Sequence, residues 1–251
     1  TISGGATTTG ALKPGDIINF TGGQSTSTLL SISGMPYFAA SSTNRSIYLG
    51  AGAGAVSLRS GASGFDNFGA GTGALAANTS GDNNIAIGSS ALGPNTTGGN
   101  NTALGFESLK SNLSGGDNNA FGYRALAANS SGFYNNALGF QALAGNQTGN
   151  FNNAMGISAM LSNTTGFANN AIGYLALQQN TTGKNNTAIG TNAGYNITTG
   201  YSNIMLGDNT QSTGGITTGG GNIGLGSNVF FPTATANLQL NIGNILYGSL
   251  P

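Results

Sequence analysis

The chain has 251 residues, of which 45 are Gly and 34 are Asn, and only 5% are charged, against about a quarter in an ordinary soluble domain. Six Lys plus Arg balance six Asp plus Glu, so the basic footprint that nucleic acid or an anionic membrane surface requires is missing. Cys and His are both absent, which removes disulfides, thiolate and imidazole chemistry and the common zinc sites.

No apolar run comes near the length a spanning helix needs, so no direct membrane insertion is expected. The opening on Thr1 reads as a processed mature chain. Residues 1–43 contain "DIINF", "TLLSISG" and "PYFAA", short strands bounded by Gly and Pro. This stretch is expected to be an N-terminal β cap or a joint to another subunit.

Residues 44–207 carry an internal repeat that is regular from about residue 64. One Gly recurs at 71, 88, 105, 122, 139, 156, 173, 190 and 207, and a second at 64, 81, 98, 115, 132, 149, 166, 183 and 200. Both series step by 17, with the consensus G-x-x-N-x-A-Φ-G-x-x-A-L-x-x-N-T-T, where Φ is an apolar residue. Helical repeats need about 33 to 47 residues, and two glycines in every seventeen disfavour helix. Seventeen residues suit one coil of a parallel β-solenoid: an "NNALG"-like strand, a "QALAG"-like strand, and turns at Gly-x-x-Asn and Asn-Thr-Thr-Gly. Coils then stack at about 4.8 Å, and the fold class is all-β.

Stacking turns each consensus column into a ladder. The Φ column (Ile87, Leu104, Phe121, Leu138, Met155, Ile172, Ile189, Leu206) and the Leu column (Leu92, Leu109, Leu126, Leu143, Met160, Leu177) are expected to supply the core, with Ala86, Ala103, Ala120, Ala137, Ala154, Ala171 and Ala188 keeping the coil thin. Asn67, Asn84, Asn101, Asn118, Asn135, Asn152, Asn169, Asn186 and Asn203 form one Asn column, whose amides should bond to the coils above and below. Glu107 and Arg124 share a column in consecutive coils and should meet. Phe106, Tyr123, Phe140 and Tyr174 share another; it reads either as a simple aromatic stack or as a seam against a neighbouring subunit.

A sequon recurs at Asn78, Asn95, Asn112, Asn129, Asn146, Asn163 and Asn180. It reads either as turn chemistry or as a row of glycan acceptors. Residues 208–251 loosen into a C-terminal β cap or joint, in which Leu238, Leu240 and Ile242 alternate as in a strand or hairpin. With Ile245 and Tyr247 they are the candidate polymer joint.

The stretches "NNIAIGSSAL", "NNTALGFESL" and "NNAIGYLAL" resemble the head repeats of trimeric autotransporter adhesins. "NNTAIGTNAGYNITTG" at 185–200 is similar to arrays in bacterial surface proteins and phage tail-fibre-like proteins. The resemblance covers about residues 44–248 and implies a β-roll that associates with its own copies, with surface glycans or a host receptor as further partners. Its period of 17 is longer than in the adhesin heads, and no stalk heptads, membrane anchor or chaperone domain are seen.

Catalysis finds little purchase. Asp82 and Asp117 lie near one corner, roughly 10 Å apart by coil spacing, where glycoside hydrolysis needs two carboxylates about 5 to 9.5 Å apart. Each reads more simply as a turn residue. No cofactor or metal site is expected, since the recurrent Asp of calcium-binding solenoids is missing. Thr-rich turns raise ice binding as a minor alternative. The expected function is a non-enzymatic subunit of an extracellular or cell-surface homopolymeric fibre. The alternative is a receptor-binding head of a trimeric adhesin or of a phage fibre, the latter on a virion surface.

Overall fold

A computed structural model describes residues 27–32, 35–41, 44–56, 63–210 and 216–249; the "DIINF" strand expected at 16–20 lies outside the described residues. Among these residues fifteen strands form one sheet in chain order. Strands β1 (Ser27–Ile32), β2 (Met35–Ser41) and β3 (Ser46–Leu49) pair antiparallel. From β3 onward each coil contributes one parallel strand: β4 (Phe68–Ala70), β5 (Ile85–Ile87), β6 (Thr102–Leu104), β7 (Asn119–Phe121), β8 (Asn136–Leu138), β9 (Asn153–Met155), β10 (Asn170–Ile172), β11 (Thr187–Ile189), β12 (Ile204–Leu206), β13 (Ile223–Leu225) and β14 (Gln239–Ile242). Strand β15 (Leu246–Ser249) folds back antiparallel on β14, so the C-terminal alternation does form a hairpin. The parallel stack is about 50 Å long at ~4.8 Å per strand. Residues beyond 207 continue the same ladder through β13 and β14.

The strands pair like on like, Asn119 with Asn136, Ala120 with Ala137 and Phe121 with Leu138. Only three residues of each coil are extended, and the middle one points inward. That geometry corrects the expected core. The Ala column is buried, with Ala86, Ala103, Ala120, Ala171 and Ala188 at 0% exposure. The Φ column points outward: Ile87, Leu104, Leu138, Met155, Ile172 and Ile189 are 39–50% exposed, and Phe121 and Leu206 are partly exposed. Strand period two allows nothing else, because fixing Ala inside puts both its neighbours outside. The Leu column is core as expected, joined by Ala91, Ala125, Ala142, Ala159, Ala176 and Ala193.

The second expected strand is a chain of tight turns. In the coil that begins at Gly132, Ala142 N–H donates to Gly139, Ala144 to Gln141 and Asn146 to Leu143, at 3.0–3.3 Å. Gln141 and Leu143 sit in the left-handed region at φ 54° and 52°, a conformation that costs a side-chain-bearing residue roughly 1–2 kcal/mol. The cost is offset because Leu143 is fully buried and its N–H donates to Ala159 of the next coil at 2.9 Å. Sequence alone favours extended backbone for such a segment; the alternation of left- and right-handed residues instead turns a sharp corner with its leucine inside.

Each end of the core is closed by an aromatic ring. Tyr48 occupies the inward position of the first strand of the parallel stack at 1% exposure, and a Cβ on Gly54 or Gly69 would lie 2.4 or 2.9 Å from its ring. Phe231, also 1% exposed, fills the other end against Gly224.

Candidate interaction surfaces

Among the described residues, three asparagine ladders of four or more rungs run along the rod. The first is the predicted one, and its members are buried. Asn135 is typical: its Nδ2 donates to Asn118 Oδ1 at 3.1 Å and to the Gly149 carbonyl at 2.8 Å, while its Oδ1 accepts from the backbone N–H and Nδ2 of Asn152, both at 3.1 Å. Ser46 starts this ladder by accepting from Asn67 N–H at 3.0 Å, and Gln239 ends it. Amides whose donors and acceptors point along the axis satisfy one another, which is what makes so polar an interior tolerable.

The second ladder consists of the sequon asparagines. Asn78, Asn95, Asn112, Asn129, Asn146, Asn163 and Asn180 are all 0% exposed. Asn146 Nδ2 donates to Asn129 Oδ1 at 2.8 Å and to the Gly149 carbonyl at 3.0 Å. A glycan on that nitrogen would have to break both bonds and enter the core, so the folded coil offers these residues as ladder rungs and not as acceptors. The hydroxyls beside them are turn chemistry too: Thr96 and Thr164 donate to the next coil's carbonyls at 2.9 and 3.0 Å.

The second ladder stops where Ile197 takes the Asn position. Asn180 Oδ1 is consequently buried without a hydrogen-bond partner. In the same coil Gly194 replaces the core Leu, and a Cβ there would lie 3.0 Å from Leu177 and 3.2 Å from Ile197, so Ile197 fills the space a Leu fills elsewhere. Gly194→Leu alone should overpack this layer, and Ile197→Asn alone should empty it, each at about 1–3 kcal/mol. The double substitution should recover most of the loss, since it restores both the Leu and the Asn rung. Urea unfolding of the four proteins measures the coupling; additive losses would show that the two positions do not exchange space.

The third ladder, unanticipated, is exposed: Asn119, Asn136, Asn153 and Asn170 on the outer strand face, linked Nδ2 to Oδ1 at 2.7–2.8 Å. Beside it runs the outward Φ column, and two residues further along each coil lies the aromatic column. Phe106, Tyr123 and Phe140 stack with centroids 5.5 and 5.0 Å apart and planes within 11°. Ile157 intervenes before Tyr174, and all five are 42–51% exposed. The column is therefore a surface stack, and with the Φ column it makes one apolar stripe along the rod. Tyr134 and Phe151 form a further stack at 5.0 Å. Sequence reading missed the stripe because it equated apolar with inside; the signal against that was the Φ column's variety of shapes beside a nearly constant Ala.

Charge contributes little. Glu107 meets Arg124 at 3.3 Å, as expected, and also Lys110 at 2.6 Å. Arg45 pairs with Asp66 across the first coil, and its donated hydrogen bond holds that carboxyl below the usual carboxylate range. Asp82 accepts from Phe65 N–H at 2.7 Å, a turn contact. A shallow groove of about 370 Å³ is floored by Ala127, Ala128, Ala144 and Gly145 beside Lys110 and Arg124, but both cations already pair with Glu107. Among the described residues no group of three or more acids could hold a metal, and no helix is long and apolar enough to cross a membrane. At the candidate joint, Ile245 is 92% exposed at the hairpin tip, and Leu238 and Ile242 are 44% and 39% exposed. Leu240 is partly exposed, and the Tyr247 side chain lies outside the described residues.

Fold and ladders together define the class: an all-β repeat protein, a parallel β-solenoid with a 17-residue coil and axial asparagine ladders. No family model, curated protein or solved structure matches this chain.

Proposed function

We propose that this chain is a non-enzymatic structural subunit of an extracellular or cell-surface fibre that supports surface attachment. The carrying observation is the division of labour within the coil. Its polar side chains are engaged in bonding one coil to the next, while its apolar side chains form an uncovered stripe along the rod. Such an outside favours association with other copies over recognition of a small molecule. The resemblance to adhesin head repeats supports a location outside the cell and a role in attachment.

End-to-end growth would use the hairpin of β14 and β15, whose free edge can accept another strand. Electron microscopy should show filaments, and Ile245→Lys should shorten or abolish them, since that side chain is 92% exposed at the hairpin tip. Filaments of unchanged length would sink the joint at Leu238, Leu240, Ile242, Ile245 and Tyr247.

A second reading, the receptor-binding head of a closed trimer, is favoured by the axial direction of the Phe106, Tyr123 and Phe140 stack. It predicts short rods with a native mass three times the 24.7 kDa of one chain, which dissociate when Tyr123 and Phe140 are changed to Ser.

A further inference from the structure

Resting on the assembly reading above, we propose that the outer strand face is a zipper surface that pairs face to face with the same face of a second copy of this chain. The face combines an exposed in-register Asn ladder with a stripe of large apolar side chains, repeated at the strand spacing. These are the elements of the dry interfaces formed between stacked parallel sheets, where identical side chains interdigitate and amide ladders and aromatic stacks add to the packing.

Periodicity selects the partner. A surface that interdigitates over eight coils must repeat every ~4.8 Å. An α-helix, with a pitch of about 5.4 Å, would drift by about 5 Å over that length, one whole coil out of step. Another copy of this chain carries the matching period along its whole rod. Size agrees as well. The eleven large side chains of the two apolar columns are 39–51% exposed; at ~180 Å² for a large side chain they offer about 900 Å², close to the ~800 Å² per partner of a standard stable interface. A single stripe used by both partners is an isologous contact, and it closes at two.

Polarity is consistent with closure. The exposed Asn rungs satisfy each other along their own rod, so covering them strands few donors. The aromatic part of the stripe is centred on the coil of Phe140 and gives way to Thr72 and Ser89 on one side and Thr191 and Asp208 on the other. The stickiest region is therefore the middle of the rod.

Native mass and mass per length test the pairing. Discrete wild-type particles should weigh twice the 24.7 kDa of one chain, and Leu138→Arg with Ile172→Arg should halve that mass with the circular dichroism spectrum unchanged and the Tm lowered to a value independent of protein concentration. In filaments the same pair should halve the mass per unit length while filaments persist. Monomeric wild-type particles, a three-chain particle, single-rod filaments, or a double variant that keeps the paired mass would each overturn the proposal. The chain has no Cys, so Asn136→Cys, at the middle of the face, gives a unique spin-label site should the Arg variant fold poorly. Labels within ~10–25 Å are expected for sheets ~10 Å apart, and no dipolar coupling would refute the pairing. Single-rod filaments would leave the fibre reading standing; paired rods without filaments would leave the zipper face and remove the fibre.

Discussion

Replacing Gly122 with Ala should cost about 4 kcal/mol or more, the range reserved for changes that the backbone cannot absorb. Two independent causes act at this position. Its φ of 139° lies in a region that is essentially glycine-only. A Cβ there would also stand 2.4 Å from the Gly139 carbonyl oxygen and 2.7 Å from its carbon. The coil above cannot retreat, because Gly139 N–H is bonded to Phe121 at 2.8 Å and the strands on either side are in register. Gly73→Ala is the control. It has φ 69°, and a Cβ added there would meet nothing within 4 Å, so only the left-handed cost of roughly 1–2 kcal/mol applies. Urea midpoints of the two variants against wild type decide the matter. Equal losses would mean that coil spacing relaxes and that close approach is not what fixes these glycines.

Much of this was legible in the sequence, and for a physical reason. A solenoid places identical positions on top of one another, so the 17-residue spacing of Gly139 and Gly156 is itself the strand register. The buried ladder through Asn135 was readable on the same ground, since an amide repeated in one column can satisfy its neighbour. Leu138 was not readable: inside and outside are set by which of two alternating residues faces the core, and apolarity alone does not choose between Ala137 and Leu138. Leu143 was harder still. Nothing in its identity announces a left-handed backbone, which is imposed by the turn bonds around it and repaid by burial. Asn146 was left between two roles by its sequon, and only its 0% exposure separates rung from acceptor.

The same stacking that makes the sequence repetitive also governs what varies in it. Positions whose side chains meet copies of themselves inside the coil hold to Ala, Asn and Gly. Outside, the column of Phe106, Tyr123, Phe140, Ile157 and Tyr174 changes shape from coil to coil, and so does that of Ile87 to Leu206. Free variation on a solvated face of so Asn-, Ser- and Thr-rich a chain would include polar residues, yet from Ile87 to Ile189 the Φ column contains none. A column that may change shape but keeps its apolarity has a packing requirement of its own, and the described residues of the same chain do not meet it.

Converting one rung of the buried ladder to an acid should produce a loss that grows with pH. In Asn135→Asp the new oxygen replaces Nδ2, which donates to Asn118 Oδ1 and the Gly149 carbonyl, so acceptor faces acceptor at a position with 0% exposure. Protonated, the acid can still give one hydrogen bond, and the cost near pH 3 should be about 1–3 kcal/mol. Ionised, it is a buried charge without a partner, and near pH 7 the cost should rise to about 3–5 kcal/mol. Burial and the surrounding acceptors raise its folded-state pKa above the unfolded value of about 3.9. Between the two values the folded protein holds the extra proton, so stability falls as pH rises through that window and is flat beyond it. Asn185→Asp, an exposed position off the strand face and next to the buried rung Asn186, should lose less than ~1 kcal/mol and show little of this slope, because water solvates the charge. Tm measured for both variants and wild type at pH 3, 5 and 7 separates the cases. A loss at Asn135 that is independent of pH, or equal to that at Asn185, would mean that water reaches the ladder and that its amides are not the closed, mutually satisfied column that holds the coils together.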